Sequence, residues 1–257
     1  GTSASVYVLE LGNVTTFAAV TALSAFITIN TPQVFYSYLV PRGWAYDATF
    51  ITLLGTFNAT TAKTYFFVTV DLSNYPSFTN LMKCVATMIE APVIPVTEFS
   101  AASALYVWLN NNPSTTNKVA PMAKRTVTAV TAYPLRGNGS LLAILAAANI
   151  NWIGTGAEGG ISNTLLYFLK TKDGRDASYW YSVDWTQINL DLDLSNEVIN
   201  GANNPVNPLY FNQDGINRLQ ARAQATMNRG ISYGMVLAPV TVTAVDCARE
   251  RRTVSGI

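Results

Sequence analysis

The sequence contains no histidine, few charged residues and only two cysteines. The absence of histidine removes the commonest metal ligand and the side chain that most often transfers protons near neutral pH. Cys84 and Cys247 lie too far apart for a local zinc or haem motif, so no metal is expected. Two separate thiols are favoured over a disulfide, although the spacing leaves both open, and they fit assembly in a reducing cytoplasm.

Charge and long apolar runs are both scarce. Charged residues make up 12% of the chain against about 25% in an average soluble domain, while 49% of the residues are hydrophobic. No apolar run approaches the roughly 20 residues that span a bilayer, so no membrane span is expected. The net charge of +1 predicts no general attraction to nucleic acid. A surface so poor in charge is more plausibly covered by protein, and copies of the same chain are the simplest cover.

Hydrophobic periodicity and turn residues predict an alternation of strands and helices. Strands are predicted at 6–11, 35–40, 65–70, 88–93, 126–132 and 150–153, and helices at 15–28, 46–57, 76–87, 98–109, 141–148, 184–199 and 213–229. Asp47 is the expected cap of the second helix, and the apolar run 65–70 is expected to be a central strand. This alternation indicates an α/β fold with a mostly parallel sheet and flanking helices. Strand-like runs around 173–175 add an antiparallel C-terminal portion.

The predicted organisation is one large unit followed by an arm. Residues 1–233 form the α/β core, with a candidate sub-boundary at 113–125, where the sequence is polar and rich in turn residues. Residues 234–257 are the arm, whose Val- and Thr-rich part suits an edge strand. The chain starts at Gly1 without methionine, so we expect a trimmed product or a start inside a longer one.

Three glycines in the middle of the chain, Gly154, Gly156 and Gly159, match the Gly-x-Gly-x-x-Gly pattern of dinucleotide-binding proteins. In such proteins the last glycine opens a helix whose N-terminus holds the pyrophosphate. Here the following residues, 164–169, have the composition of a strand. A turn between two strands is therefore the favoured interpretation.

The block around these glycines resembles a family of bacteriophage structural proteins, the contractile-tail sheaths. The resemblance is carried by residues 151–163, 173–176 and 179–185, and extends to 198–205, 212–219, 6–12 and 38–42. It implies a tail-sheath-like fold and a subunit that polymerises into helical rings around a tail tube and contracts to drive the tube into the host. The implied partners are other copies of the chain, the tail tube protein, and the baseplate and tail terminator proteins. It also implies a location in the virion after assembly in the host cytoplasm, with no cofactor. The terminal arm, with Val240, Val242 and Val245, would join neighbouring subunits.

An enzyme is not expected. Without histidine, proton transfer would depend on carboxylates such as Asp173 and Asp176, or Asp184, Asp191 and Asp193. Asp191 and Asp193 are two residues apart on a helix and so point to different sides. Asp173 fits a turn. The sequence contains neither a Gly-x-Ser-x-Gly elbow nor a phosphate-binding Gly-Lys loop.

The two last helices carry the remaining candidates. The predicted core side chains of helix 184–199 are Trp185, Ile188, Leu192 and Val198, and those of helix 213–229 are Ile216, Leu219, Ala223 and Met227. Arg218, Arg222 and Arg229 lie on the opposite side of the last helix. They form either a solvated face or a contact for an acidic tail tube. Under the second hypothesis, reversal of Arg218 and Arg222 to Glu weakens tube binding without unfolding the monomer.

A cluster of aromatic residues, Tyr179, Trp180, Tyr181 and Trp185, allows a carbohydrate- or base-stacking surface. Alternating burial in the core or at a subunit contact is favoured instead. The alternative functions are a non-contractile sleeve or tube protein, and a receptor-binding module, which predicts a trimer with a carbohydrate-binding aromatic surface.

Overall fold

The computed structural model describes most of the chain and divides it into two units. The described residues are 5–12, 14–30, 35–59, 62–78, 82–95, 97–119, 121–135, 137–156 and 163–236. Unit 1 comprises residues 1–112 and 120–185, and unit 2 comprises residues 113–119 and 186–257. Within the described residues the fold is mixed α/β, with six helices and two three-stranded sheets.

The helices are α1 (Thr16–Ile29), α2 (Ala48–Thr56), α3 (Ser100–Leu109), α4 (Gly139–Ala147), α5 (Ala177–Asn203) and α6 (Gln213–Ser232). The strands are β1 (Ser37–Leu39), β2 (Tyr65–Val70), β3 (Val85–Ile89), β4 (Arg125–Thr126), β5 (Ile153–Gly156) and β6 (Asn163–Leu166). Helix α5 contributes its residues up to Trp185 to unit 1 and the rest to unit 2.

The first sheet is parallel, with β2 between β1 and β3. Every residue of β2 is buried, as its unbroken apolar sequence predicts for a central strand covered on both faces. Phe66 and Val68 face the core that α1 and α2 close, whereas Tyr65 and Phe67 face the core that α3 closes. This alternation follows from the two-residue period of a strand.

Helix α2, which helps to cover one face of this sheet, begins where its sequence predicts. Asp47 caps α2, and its carboxylate accepts hydrogen bonds from the backbone N–H groups of Thr49 at 2.8 Å and Phe50 at 3.1 Å. These bonds satisfy donors that the first turn of a helix leaves unpaired.

The second sheet is antiparallel, in the order β4-β6-β5, and Asn151 connects it to the first. The backbone N–H of Asn151 donates to Thr87 O at 2.9 Å, and its carbonyl accepts from Ile89 N at 2.9 Å. The fully buried side chain also bonds Thr87 O and the backbone of Lys170. Residues 151–156 therefore extend the edge of β3 and then enter the second sheet.

The glycine-rich stretch lies between two paired strands. Gly154 and Gly156 belong to β5, which pairs with β6, and the predicted strand after the glycines is thus confirmed. Residue 159 lies outside the described residues.

Several elements differ from the predictions. Of the predicted strand 126–132 only Thr126 lies in a strand, β4, and the strand-like run after residue 175 belongs to helix α5. The predicted helix 76–87 is wrong, because residues 75–77 form a short 3-10 turn and β3 starts at Val85. All residues of β3 are buried. Its sequence therefore shows no alternation of apolar and polar residues by which a strand could be told from a helix. The segment 6–11 was expected to be a strand, but it forms none and is mostly exposed.

Unit 2 is helical where it is described. Residue Val119 of the segment 113–119 donates its N–H to Tyr233 O, at the end of α6, at 2.9 Å. The antiparallel sheet contains residues 125–166 and therefore precedes this helical part, contrary to the expected antiparallel C-terminal portion. Of the predicted arm, only residues 234–236 are described, and Val240, Val242 and Val245 lie outside the described residues.

Candidate functional site

The most deeply buried carboxylate belongs to unit 1. Asp184 on α5 is almost fully buried, and its Oδ2 accepts hydrogen bonds from the hydroxyl groups of Tyr65 at 2.8 Å and Tyr36 at 3.1 Å. Its Oδ1 accepts no hydrogen bond from any residue that the structure describes. The ring of Tyr36 stacks on Trp108 of α3, with centroids 5.4 Å apart. Sequence analysis named Asp184 but not its partners, because Tyr36 and Tyr65 lie far from it along the chain.

Burial controls ionisation in this cluster. It raises the pKa of Asp184, and the hydrogen bond from Tyr65 offsets part of that rise. It also raises the pKa of Tyr36 and of Tyr65. Burial lowers the pKa of Lys83, whose Nζ lies 4.7 Å from the centre of the Trp180 ring. The tyrosines therefore remain protonated hydrogen-bond donors.

The position of this cluster favours a structural role. Tyr36 immediately precedes β1, and Tyr65 begins β2, so the cluster lies at the amino ends of the parallel strands. Ligand sites of open α/β sheets lie at the carboxyl ends. The two hydrogen bonds to Asp184 hold the first turns of α5 against the rest of unit 1.

The carboxyl ends of the strands are occupied by an ion pair. Glu90, just after β3, accepts hydrogen bonds from the guanidinium of Arg42 at 2.5 and 3.1 Å. It also accepts from the backbone N–H of Ser100, at the start of α3, at 3.0 Å. A carboxylate at a helix N-terminus is stabilised by the unpaired N–H groups there. The Glu90 carboxylate thus joins Arg42 to the start of α3.

Asp173 and Asp184, two of the acidic residues considered for catalysis, accept hydrogen bonds from different aromatic side chains. Asp173 accepts hydrogen bonds from the Trp180 indole at 2.9 Å and from the backbone of Arg175 at 3.1 Å, in a turn where Gly174 has a positive φ. Asp184 belongs to unit 1, whereas Asp191 and Asp193 belong to unit 2. Among the described residues, no three histidine, cysteine, aspartate or glutamate side chains group as a metal site would require.

The three candidate arginines of α6 form ion pairs and hydrogen bonds with α5. Arg222 Nη2 lies 3.2 Å from Asp193 Oδ1, and Arg229 Nη2 lies 2.7 Å from Asp193 Oδ2. Arg218 pairs with Glu197 and donates to the carbonyl of Asn207 at 3.0 Å. All three contacts lie within unit 2. The arginines of α6 therefore bind carboxylates of their own unit, while Arg222 and Arg229 stay partly exposed to solvent.

Asp193 is the centre of this arrangement. The hydroxyl of Thr226 donates to it at 2.6 Å, and this bond, together with the charges of Arg229 and Arg222, holds the pKa of Asp193 below its ordinary value. The buried residues of α6, Gly215, Thr226 and Gly230, lie between the arginines on one side and the half-buried Leu219 and Ala223 on the other. The helix thus packs by a mixed face whose polar part is centred on Asp193.

Four apolar side chains of α5 and α6 that were predicted to be core lie outside. Ile188, Leu192 and Val198 of α5 and Ile216 of α6, all predicted to be core, are exposed. The remaining predicted core residues, Trp185, Leu219, Ala223 and Met227, are half-buried. The prediction failed because each helix was analysed alone and its apolar side was assigned to the core. The spacing of Asn189, Asp193 and Glu197 at every fourth residue was the available signal of a polar contact face.

The aromatic cluster lies on a helix rather than on a strand. Trp180 is buried, Tyr181 is half-buried and donates to Asn111 O at 3.3 Å, and Tyr179 is exposed. These side chains do not form one flat exposed surface on which sugars or bases could stack.

Cys84 is a free and fully buried thiol. Its Sγ donates to Leu54 O at 3.3 Å, and burial raises the pKa of Cys84 to about 12. Cys247 lies outside the described residues.

In comparisons with protein-family models and with curated protein sequences, nothing matches the chain. None of the helices in the described part of the chain combines the length and apolar character needed to cross a membrane.

Proposed function

We propose that this chain is a structural subunit of a bacteriophage contractile-tail sheath. Its copies would polymerise into helical rings around the tail tube and contract to drive the tube into the host envelope. The proposal starts from the resemblance of residues 151–163, 173–176 and 179–185 to that family. It gives the chain a mechanical task in the virion, with the tail tube, baseplate and tail terminator proteins as further partners.

The observation that carries the proposal is the outward apolar side of α5 in unit 2. Ile188, Leu192 and Ile199 follow one another at the spacing of one helix side, and all three are exposed. Burying such a stripe removes apolar area from water at about 25 cal/mol per Å². Such a stripe is expected in a chain that gains stability when another protein covers it.

The distribution of charge supports the same proposal. The acidic and basic residues between α5 and α6 neutralise one another within unit 2. With a net charge of +1, copies of the chain repel one another little as they approach. Weak electrostatic repulsion and exposed apolar sides favour self-association.

A tube contact through Arg218, Arg222 and Arg229 remains a prediction, but its original test needs a change. These guanidinium groups already bind Asp193 and Glu197, so the tube would have to share them. Reversal of Arg218 and Arg222 to Glu would place like charges together and destabilise unit 2. A loss of tube binding in that variant would therefore not identify a tube contact.

The experiment that tests the proposal is negative-stain electron microscopy of the purified chain over a wide range of concentrations. We expect stacked rings or hollow tubes, and added tail tube should nucleate their growth. A chain that remains monomeric with and without the tube, or forms a compact trimer, would contradict the proposal. The trimer would favour the receptor-binding alternative.

A further inference from the structure

The connection between α5 and α6 presents a second apolar surface in unit 2. We define the tip patch as six residues at this end of the two helices: Val198, Ile199, Val206, Tyr210, Phe211 and Ile216. Phe211 is fully exposed, Val206 is 91% exposed and Tyr210 is 63% exposed. Large apolar side chains are rarely left so open together on a monomeric protein.

The connection is held in place by hydrogen bonds of its own. The side chain of Asn204 accepts from the backbone N–H groups of Val206 at 3.0 Å and Asn207 at 3.2 Å. Arg218 donates to the carbonyl of Asn207, and Leu209 N donates to Gly201 O at 3.1 Å. These bonds fix the backbone in the conformation that turns Val206 outward.

Two glycines allow the connection to lie close to both helices. A Cβ at Gly201 would overlap the side chain of Leu209, and a Cβ at Gly215 would overlap the carbonyl oxygen of Tyr210. Asn212 caps α6 by accepting from Gly215 N at 3.0 Å. Tyr210 and Phe211 are thereby held next to the first turn of α6, which carries Ile216.

The area of the tip patch suits a specific contact. From the usual size of such side chains, the six residues expose roughly 700 Å² of apolar surface. A second copy offering the same patch would bring the total buried area to roughly 1,400 Å², within the range of specific protein interfaces. Aromatic residues at the centre of such a patch are typical of the positions that contribute most to binding.

Charge near the tip patch does not oppose such a contact. Glu197 and Arg218, the nearest ion pair, neutralise each other. Asp214 lies in the first turn of α6, where an acidic side chain is favourable for the helix and can stay at the wet rim of the contact. Two copies can therefore approach without burying an uncompensated charge.

We infer that the tip patch of one copy packs against the tip patch of a second copy of this chain. The two patches form a symmetric contact with Phe211 and Tyr210 at its centre. This inference goes beyond the proposed function, because a contact between identical patches joins two copies in a closed pair, whereas helical rings grow through head-to-tail contacts between different surfaces.

The test uses the full chain and compares two variants in sedimentation velocity over about a hundredfold range of concentration. The tip variant carries Val206→Ser and Phe211→Ser, and the matched control carries Val93→Ser, an equally exposed valine of unit 1. We expect the tip variant to raise the dissociation constant of the pair at least about tenfold. The control should associate as the unchanged chain does, and far-UV circular dichroism should show both variants folded.

A cross-link tests the geometry independently. Phe211→Cys, introduced together with Cys247→Ser, should form a disulfide between two copies on mild oxidation, whereas Val93→Cys in the same background should not. Buried Cys84 does not interfere.

The outcomes separate this inference from the proposed function. A tip-dependent pair without rings or tubes supports the inference and contradicts the sheath proposal. Rings or tubes that form equally well from the tip variant overturn the inference and leave the proposal standing. A chain that stays monomeric overturns both. If such a monomer binds neutral lipid vesicles, the tip patch is a lipid-binding surface instead.

Discussion

The two buried aspartates of α5 show how differently the two units use the same side chain. Asp184, in unit 1, receives two tyrosine hydroxyl groups, and burial raises its pKa. Asp193, in unit 2, receives Thr226 and two arginines, and its pKa is lowered. The aspartate of unit 1 is thus held by neutral hydroxyl groups while burial disfavours its charge, whereas the aspartate of unit 2 is held by one hydroxyl group and two ion pairs.

The difference teaches how apolar surface becomes available for contacts. In unit 1 both faces of β2 are covered by helices, so its aromatic residues are used within the chain. In unit 2 ion pairs join α5 to α6, while the apolar stripe and the tip patch are exposed. Unit 2 therefore offers apolar surface that its own charged contacts do not use.

The largest expected effect comes from removing the centre of the polar contact. Asp193→Ala leaves Arg222 and Arg229 without their carboxylate, and we expect a loss of about 3 kcal/mol in the free energy of unfolding. All five tryptophans lie in unit 1. Urea unfolding followed by far-UV circular dichroism should therefore show a larger loss than unfolding followed by tryptophan fluorescence.

Asp191→Ala is the matched control, since Asp191 is exposed on the same helix. It should change the free energy of unfolding by less than about 0.5 kcal/mol. Equal losses in the two variants would mean that the polar contact does not hold unit 2 together.

A smaller effect is expected where the connection touches α6. Gly215→Ala introduces a Cβ that overlaps the Tyr210 carbonyl, and we expect a loss of about 1–3 kcal/mol. Gly55→Ala in α2 meets open space and should stabilise unit 1 by about 0.5–1 kcal/mol, because alanine is the better helix former. Thermal unfolding of the two variants should thus give opposite signs, and a stabilising Gly215→Ala would show that the close approach is absent.

The smallest effect is the pH dependence, which should have opposite signs for the two aspartates. Because the pKa of Asp193 is lowered in the folded chain, its contribution is present above the ordinary value of 3.8 and is lost as the pH falls through and below it. Because the pKa of Asp184 is raised, its ionisation costs stability near neutral pH, and that cost disappears as the pH falls through the raised value.

Asp193→Asn and Asp184→Asn isolate the two contributions when their free energies of unfolding are measured between pH 3 and pH 7. The stability gap between wild type and Asp193→Asn should narrow toward pH 3. Asp184→Asn should equal or exceed wild type at pH 7, since the amide keeps an acceptor for Tyr36 and Tyr65 without the buried charge. A strongly destabilised Asp184→Asn would mean that this carboxylate is required in its charged form.

Much of unit 1 was predictable because its signals are local or strong. The Asp47 cap sits within three residues of the N–H groups it satisfies, and the six residues of β2 are apolar without interruption. The strand β3 was missed because residues buried on every side show neither period clearly. The Asp184 cluster was missed because Tyr36 and Tyr65 approach it only in the folded chain.

The sequence by itself determined helix α6, the part of α5 from Asp184 to Ile199, the Asp47 cap, the central strand β2 and the two-sided character of α6. Local hydrogen bonds and side-chain periodicity suffice for these, since they act over a few residues. Only the tertiary structure decided which side of α6 turns inward. The side that turns inward lies between the two faces, because α5 offers Asp193 and Glu197 to the three arginines while Leu219, Ala223 and Met227 are half-buried.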